Sequence, residues 1–154
     1  MITIGPAREP ERAVVARLLA EAGLPVDGLE HTWLLVARDD PAEAAAGKPT
    51  GEGEVVGAVG LEAHPPAGVL RSLVVAPAYR GAGTGTALVA RLLEAADARG
   101  VSDLWLLTTT AAPFFARLGF EPADRASAPP GVRDSIEFRA ACPTTAACLR
   151  LALT

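Results

Sequence analysis

The chain has 154 residues, 50% of them hydrophobic, and a mean hydropathy of +0.28. This size suits one domain with a substantial core, so we predict a single domain over residues 1–154. The 14 basic and 18 acidic residues give a net charge of −4 without a basic cluster, which argues against a nucleic-acid or membrane partner. A negatively charged ligand must then be held locally by a few arginines.

Residues 1–19 mix charged and apolar side chains, so they lack the hydrophobic region of a signal peptide. No apolar run reaches membrane-spanning length. Cys142 and Cys148 are too few for a disulfide scaffold, and we expect reduced thiols in a cytoplasmic protein. Two thiolates alone make a poor metal site, so we predict no metal and favour buried cysteines that act as small apolar residues.

The first half of the chain predicts one helix and three strands. Pro10 stands at a first helical position, and apolar residues recur at helical spacing until Gly23. Residues 39–54 are rich in Ala, Gly, Pro and Glu and predict a solvated hairpin loop. The strands are predicted over Trp33–Arg38, Val55–Glu62 and Val69–Ala76.

The second and third of these strands form a predicted antiparallel hairpin around a proline-rich turn at residues 64–68. Gly57 and Gly60 inside the second strand indicate a bulge or a close neighbour. Arg71 lies in the otherwise apolar third strand, where a buried guanidinium requires an anionic partner. That partner is either Glu62 on the neighbouring strand or the carboxylate of a ligand.

A glycine-rich turn follows the third strand. Its residues are Arg80, Gly81, Ala82, Gly83, Thr84, Gly85 and Thr86. Glycines let backbone N–H groups approach a diphosphate, and the next helix adds its partial positive charge. The alternate glycine spacing does not fit the dinucleotide fingerprint, and no Gly-Lys-Ser/Thr sequence is present. Both common nucleotide loops are therefore excluded.

The second half of the chain predicts two further helices and three further strands. The helix after the glycine turn ends at Gly100, and the strand Asp103–Thr108 then runs parallel to the strand before that helix. A short helix begins at Ala112 and ends at Gly119. Strands are predicted over Phe120–Asp124 and Ala146–Leu153, and residues 125–142 have no clear pattern.

Two motifs in this order resemble the GNAT N-acetyltransferases. Arg80, Gly83 and Gly85 fit the pattern Arg/Gln-x-x-Gly-x-Gly/Ala, and Phe114–Phe120 is similar to the family's second motif. The resemblance implies an α+β fold of about six to seven mostly antiparallel strands, a splayed parallel pair and about four helices. It also implies acetyl-CoA as the co-substrate and a monomer or homodimer.

The resemblance implies a cofactor site where the two parallel strands part. Backbone groups of the third strand would hold the pantetheine arm, and the glycine turn would hold the diphosphate. The residues concerned are Leu73, Val74, Val75, Arg80, Gly81, Ala82, Gly83, Thr84, Gly85, Thr86, Phe114 and Phe115. In many members of the family a tyrosine at this position protonates the departing thiolate, and here the position is Phe115. A thiol pKa of about 8.5 nevertheless makes CoA thiolate a tolerable leaving group.

The candidate catalytic residues are Glu62, Arg71, Ser72 and Thr109. Glu62 is the preferred base, and an ion pair with Arg71 is an equal alternative. Arg71 would hold the carboxylate of an amino-acid-like acceptor through a bidentate contact. Arg133 is a weaker candidate for the same task, together with Arg125 and Arg139, since most loop arginines are solvated.

At finer grain the chain resembles bacterial GNAT proteins associated with arsenic resistance, which are similar to amino-acid acetyltransferases. The similarity lies in residues 70–73, 107–110, 114–120, 137–138 and 142–148. It implies acetylation of an amino acid or an amino-acid-like arsenical. Two other functions stay open, namely an acyl-CoA-binding sensor module, which Phe115 favours, and a protein N-acetyltransferase, which needs an open peptide groove.

Overall fold

The structure is a computed structural model that describes residues 1–40, 53–141 and 145–153. Within these ranges the chain forms seven strands and four α-helices. The strands are β1 (Ile2–Pro6), β2 (Trp33–Asp39), β3 (Glu54–His64), β4 (Ala67–Val75), β5 (Asp103–Thr108), β6 (Glu121–Pro122) and β7 (Ala147–Ala152). The helices are α1 (Glu11–Glu21), α2 (Thr84–Ala98), α3 (Ala112–Arg117) and α4 (Pro130–Arg133).

The seven strands form one sheet in the order β1-β2-β3-β4-β5-β7-β6. Neighbours are antiparallel except β4 and β5, which run parallel. The predicted α+β architecture with one parallel pair is therefore confirmed. No helix in the described part of the chain is long and apolar enough to cross a membrane.

Helices cover both faces of the sheet, and the residues of β2 are apolar on both sides as this requires. Leu34 and Val36 face one side and pack near Val15 and Leu19 of α1. Leu35 and Ala37 face the other side, in the cluster that holds the apolar face of α2. Because successive side chains of a strand alternate, a strand buried on both faces must be apolar throughout. Each fully buried Leu or Val contributes roughly 1.5–3 kcal/mol.

Residues 125–141, which the sequence left without a clear pattern, fold onto the far end of the sheet. They form a short 3₁₀ turn, α4 and a π-helical turn at Glu137–Ala141. Val132 and Phe138 pack there against Trp105 and Leu107 of β5. Residues 125–141 are consequently packed against the sheet.

Two strand predictions need correction. β1 was missed, because five residues that end in Gly5 and Pro6 give little periodic signal. The strand predicted over Phe120–Asp124 is only Glu121–Pro122, since the Phe120 N–H donates to the Phe115 carbonyl and thereby closes α3.

The predicted irregularity in the β3–β4 hairpin is confirmed, and the extra residue lies on β4. The register shifts between Ala58 and Gly60, so that Ser72 and Leu73 together oppose Val59. Ser72 takes a left-handed φ of 61°. Gly60 has close neighbours as expected, because a Cβ there would lie 2.6 Å from the Thr32 methyl carbon. The bulge turns the second half of β4 away from β5.

The parallel pair is consequently short. Only Ala67–Val69 of β4 pair with Asp103–Trp105 of β5. Beyond Val69 the two strands diverge, which leaves backbone groups and side chains of both strands facing an open space.

The ion pair between Glu11 of α1 and Arg38 of β2 ties the helix to the sheet. Both carboxylate oxygens of Glu11 accept hydrogen bonds of 2.7 Å from Arg38, and the two side chains are 14% and 7% exposed. These bonds lower the pKa of Glu11 below its usual value of 4.5. A carboxyl whose pKa is depressed on folding stabilises the fold above its unfolded pKa and loses that contribution as the pH falls.

We expect Glu11→Gln to lower the free energy of unfolding by about 2 kcal/mol at pH 7. The difference from the parent chain should shrink as the pH falls below about 4.5 and through the lowered native pKa of Glu11, because below that pKa the carboxyl is protonated in both states. Urea unfolding between pH 7 and pH 3 measures this. Glu9→Gln is the matched control, since Glu9 is 91% exposed, and it should change little. An equal effect of both variants would contradict the assignment.

Candidate active site

A cleft of about 470 Å³ opens where β4 and β5 diverge. Its walls come from five parts of the chain, namely β4, the end of β5 with the threonines that follow it, the loop after α1, the start of α3 and the π-helical turn. The lining residues include Leu24, Asp27, Arg71, Ser72, Leu73, Thr108, Thr109, Thr110, Phe115 and Glu137. A crevice at the carboxyl ends of diverging strands is the usual ligand position in such sheets.

Arg71 is the central charged residue of the cleft, and its side chain is 0% exposed. Its Nε donates to the hydroxyl of Ser72 at 3.1 Å. Nη1 lies 3.5 Å from a Glu62 carboxylate oxygen, and Nε lies 3.5 Å from a Glu137 carboxylate oxygen. Nη1 and Nη2 are buried and have no hydrogen-bond acceptor in the described residues. A guanidinium carries five N–H donors, so donors remain for a ligand.

Glu62 contacts the guanidinium of Arg71. Its carboxylate is 10% exposed, but Glu62 is not among the described residues that line the cleft. The ion pair considered in the sequence analysis is therefore present. The role of Glu62 as the base stays a prediction.

Glu137 lines the cleft and was given no role by the sequence. It is 4% exposed and lies beside Arg71 although the two are far apart in the chain. The sequence feature that could have indicated Glu137 is its position between the apolar residues Ile136 and Phe138. Apolar neighbours favour burial, and a buried carboxylate requires a partner.

The π-helical turn that carries Glu137 is fixed by hydrogen bonds. The Ser135 hydroxyl donates to the Val132 carbonyl at 2.7 Å and accepts from the Phe138 N–H at 3.3 Å. Arg125 donates to the Phe138 carbonyl, with its guanidinium 5.7 Å from the centre of the Phe138 ring. Arg125 is thus engaged with the backbone of this segment.

Arg133 and Arg139 are exposed, and neither lines the cleft in the part of the chain that is described. The structure therefore does not bring Arg133 together with Arg71 and Glu62.

The three threonines at the end of β5 have two roles. The Thr108 hydroxyl accepts a hydrogen bond of 2.9 Å from the Ala111 N–H and thereby fixes the turn before α3. Thr109 and Thr110 are exposed and line the cleft. Phe115 is 4% exposed and packs edge-on against Phe114 and Phe120 at centroid distances of 5.2 and 5.5 Å. Position 115 consequently offers no acidic hydrogen at the cleft.

A second depression of about 380 Å³ follows the first along β4. It is lined by Val75, Tyr79, Arg80, Gly81, Gly83, Thr84, Gly85, Thr86 and Phe114. Gly81 and Gly83 both have φ of +84°, a conformation that favours glycine. No side chain in the described ranges caps α2 at Gly83, so the first N–H groups of the helix can face a ligand. This geometry suits a diphosphate.

Two side chains shape the rim of this second depression. Arg80 donates from Nε to the Val75 carbonyl at 2.9 Å, which places its guanidinium beside the glycine turn. The Tyr79 hydroxyl donates to Asp39 at 2.7 Å, which lowers the pKa of Asp39 and raises that of Tyr79. Tyr79 is thereby held in one orientation at the rim.

Most predicted cofactor residues lie at one of the two depressions. Leu73 and Phe115 line the first, and Val75, Phe114 and most of the glycine turn line the second. Val74 instead faces α1 and is 5% exposed, while Ala82 is exposed at the tip of the turn. Val74 can therefore offer a ligand only its backbone.

Cys148 is buried in β7, and burial raises the pKa of its thiol. Cys142 lies outside the described residues. The described residues contain no group of three or more metal-ligating side chains.

The fold and the glycine turn are those of an acyl-CoA-dependent transferase, and comparison with known proteins gives the family. The acetyltransferase (GNAT) domain family matches residues 30–122, well over half of the chain. The chain belongs to the GNAT acetyltransferase family.

The chain is similar to named relatives over part of its length. It is 45% identical over 56 residues to the amino-acid acetyltransferase of Ectopseudomonas mendocina, which is 36% of this chain and 13% of that protein. The corresponding protein of Pseudomonas fluorescens is 44% identical over 57 residues, again 13% of its length. The chain thus matches only a small part of these relatives.

Solved structures share the fold over nearly the whole chain. N-acetylglutamate synthase from Neisseria gonorrhoeae, complexed with coenzyme A and N-acetyl-glutamate, superposes with a TM-score of 0.76 at 22% identity, over 100% of this chain and 35% of that one. Rv2747 from Mycobacterium tuberculosis, solved with CoA, gives 0.77 at 23% identity over 99% of both chains.

Proposed function

We propose that this chain transfers the acetyl group of acetyl-CoA to the amine of a small amino-acid-like acceptor by direct attack. The observation that carries the proposal is the buried Arg71 guanidinium, which lines a cleft between diverging strands and whose Nη1 and Nη2 have no hydrogen-bond acceptor among the described residues, Glu62 being an ion-pair neighbour of Nη1 at 3.5 Å. Buried donors without acceptors cost free energy unless a ligand supplies them, and a carboxylate matches a guanidinium in geometry and charge.

The co-substrate would occupy both depressions. The glycine turn and Arg80 would hold the diphosphate, and backbone groups of Leu73, Val74 and Val75 on the free edge of β4 would hold the pantetheine arm. The thioester would then reach the first cleft beside Arg71 and Thr109. The named relatives with coenzyme A support this placement, since they share the fold.

In the reaction the amine nitrogen forms a bond to the thioester carbon, and the carbon–sulfur bond breaks. The proton of the amine passes to a carboxylate of the site, for which Glu62 and Glu137 are the charged candidates beside Arg71. The departing thiolate takes its proton from water, because Phe115 carries none. Backbone N–H groups near Val75 would stabilise the oxyanion.

The same proposal includes a more specific possibility for the acceptor, namely an amino-acid-like arsenic compound. It rests on the motif resemblance of residues 70–73 and 137–138; of these, residues 70–73 and Glu137 line the first cleft. An amino-acid-like arsenical would present the same carboxylate and amine to Arg71 and its neighbours. Comparison of growth on arsenicals with and without the gene tests that connection.

Release of CoA from acetyl-CoA with a panel of amino acids tests the activity. We expect acceptor-dependent release, and Arg80→Ala should raise the KM for acetyl-CoA by about tenfold with little change in kcat, since a phosphate contact is lost. Arg91→Ala, an exposed change on α2, is the matched control and should behave like the parent chain.

The second candidate function, an acyl-CoA-binding module, is favoured by Phe115 at the usual acid position. Calorimetry that shows CoA binding without release for any amine would establish it in place of the enzyme. A protein N-acetyltransferase is less well supported, because the loop after α1 and the π-helical turn with Glu137 wall the cleft on two sides.

A further inference from the structure

The glycine turn at the second depression has few contacts of its own. Residues 80–83 are all exposed, and Gly81 and Gly83 both hold a left-handed φ of +84°. Glycine loses more conformational freedom on folding than any other residue, so such a turn keeps one shape only if its two flanks are fixed. On the side of α2, the buried Thr84 begins the helix. On the side of β4, Tyr79 is the last residue before the turn that packs against the core.

Tyr79 is anchored to a residue that is distant in the chain and in the sheet. Its hydroxyl donates a hydrogen bond of 2.7 Å to Asp39, the last residue of β2. Because β3 lies between β2 and β4, this bond reaches across a whole strand. The Ala76 N–H also donates to the Val56 carbonyl of β3 at 2.8 Å. The segment that leads into the turn is thereby tied to two strands, once by its backbone and once by the Tyr79 side chain.

The negative charge of Asp39 favours neither the strand pair nor an anionic ligand. In the β2–β3 pair Asp39 lies opposite Glu54, and like charges directly opposite each other are destabilising. The bond to Tyr79 also places this carboxylate beside a side chain that lines the depression, where it would repel the phosphates of a ligand. Its other oxygen accepts from the Met1 nitrogen at 3.2 Å. What Asp39 offers to the depression is therefore an acceptor for the Tyr79 hydroxyl.

We propose that Asp39 and Tyr79 are positioning residues for the cofactor, which hold the glycine turn in the shape that receives the diphosphate. A turn that is ordered before binding spares the ligand the entropy of ordering it, so the affinity for coenzyme A rises. The inference rests on the diphosphate placement proposed above. It adds a residue of β2, Asp39, that is not among the described residues lining the depression.

Calorimetric titration of the full chain with coenzyme A tests this inference through a double-mutant cycle. Tyr79→Phe keeps the ring in the core and removes only the hydroxyl, and we expect the Kd for coenzyme A to rise about fivefold. Asp39→Ala removes the acceptor and should raise the Kd by a similar factor. Because both changes break the same bond, the double variant should also lose about fivefold, whereas two independent sites would give about 25-fold.

Two further variants separate the hydrogen bond from the charge and from general effects of substitution. Asp39→Asn keeps an oxygen acceptor for the Tyr79 hydroxyl and removes the repelling charge, so its Kd should equal that of the parent chain or fall below it. Asp97→Asn, an exposed change on α2, is the matched control and should leave the Kd unchanged. Thermal unfolding of each variant verifies that the titrated chain is folded.

The possible outcomes distinguish the positioning role from the diphosphate placement. A parental Kd for Tyr79→Phe overturns the inference, as does a double variant in which the two losses multiply. An Asp39→Asn chain that binds as weakly as Asp39→Ala also overturns it, because the charge would then be what matters. If Arg80→Ala weakens binding while Tyr79→Phe does not, the diphosphate placement stands without the positioning role. If the parent chain does not bind coenzyme A, both are wrong.

Discussion

Replacing Arg71 by lysine is expected to lower kcat/KM for the acceptor by about 100-fold while the KM for acetyl-CoA stays the same. Lysine keeps the positive charge, so Glu62 and Glu137 retain a cationic partner and the fold survives. It loses the planar pair of N–H donors at Nη1 and Nη2, which would hold the acceptor carboxylate in the proposed reaction. Steady-state kinetics with each substrate varied in turn, together with thermal unfolding, measures both effects.

Arg117→Lys, an exposed change in the last turn of α3, is the matched control and should leave both constants unchanged. If Arg71→Lys turns over the acceptor as the parent chain does, then Arg71 does not hold the acceptor carboxylate. Glu62→Gln separates the two interpretations of that residue in the same assay. A fall in kcat would indicate a base, whereas a rise in acceptor KM would indicate that Glu62 positions Arg71.

The features predicted well from the sequence are those with a local cause. The glycine turn at residues 80–86 is specified by residues that permit positive φ, and the structure places Gly81 and Gly83 there as expected. The parallel pairing of β4 and β5 follows from a strand-helix-strand order that leaves few alternatives. The sequence predicted that Arg71 has an anionic partner, because a buried guanidinium requires one.

The features that the sequence did not predict depend on contacts between distant parts of the chain. Glu137 reaches Arg71 only because residues 125–141 pack on Trp105 and Leu107, and no local pattern shows that packing. The sequence indicated a bulge or a close neighbour at Gly57 and Gly60. The β2–β3 pairing does shift beside Gly57, where Val56 is the extra residue, whereas the β3–β4 pairing has its extra residue on β4, opposite Val59. Which strand of a pair carries the extra residue is settled by the register of the sheet.

Ser72→Val is expected to have the largest effect on the fold of the site. Ser72 has a φ of 61°, which a β-branched residue adopts only at a cost of about 1–3 kcal/mol. The strain is relieved if β4 straightens, but β4 would then continue alongside β5 beyond Val69 and close the cleft. We expect a lower melting temperature and a loss of acceptor turnover of about 100-fold or more.

Ser72→Gly distinguishes the backbone role of this position from that of its hydroxyl. Glycine accepts the left-handed conformation, so the bulge and the melting temperature should be retained. The hydrogen bond from Arg71 Nε is lost, and acceptor KM should rise by roughly three- to tenfold because the guanidinium is less firmly oriented. If both variants lose activity equally at an unchanged melting temperature, the hydroxyl itself acts in the reaction, as its place among the candidate catalytic residues predicts. If Ser72→Val melts and reacts like the parent chain, the bulge does not hold the cleft open.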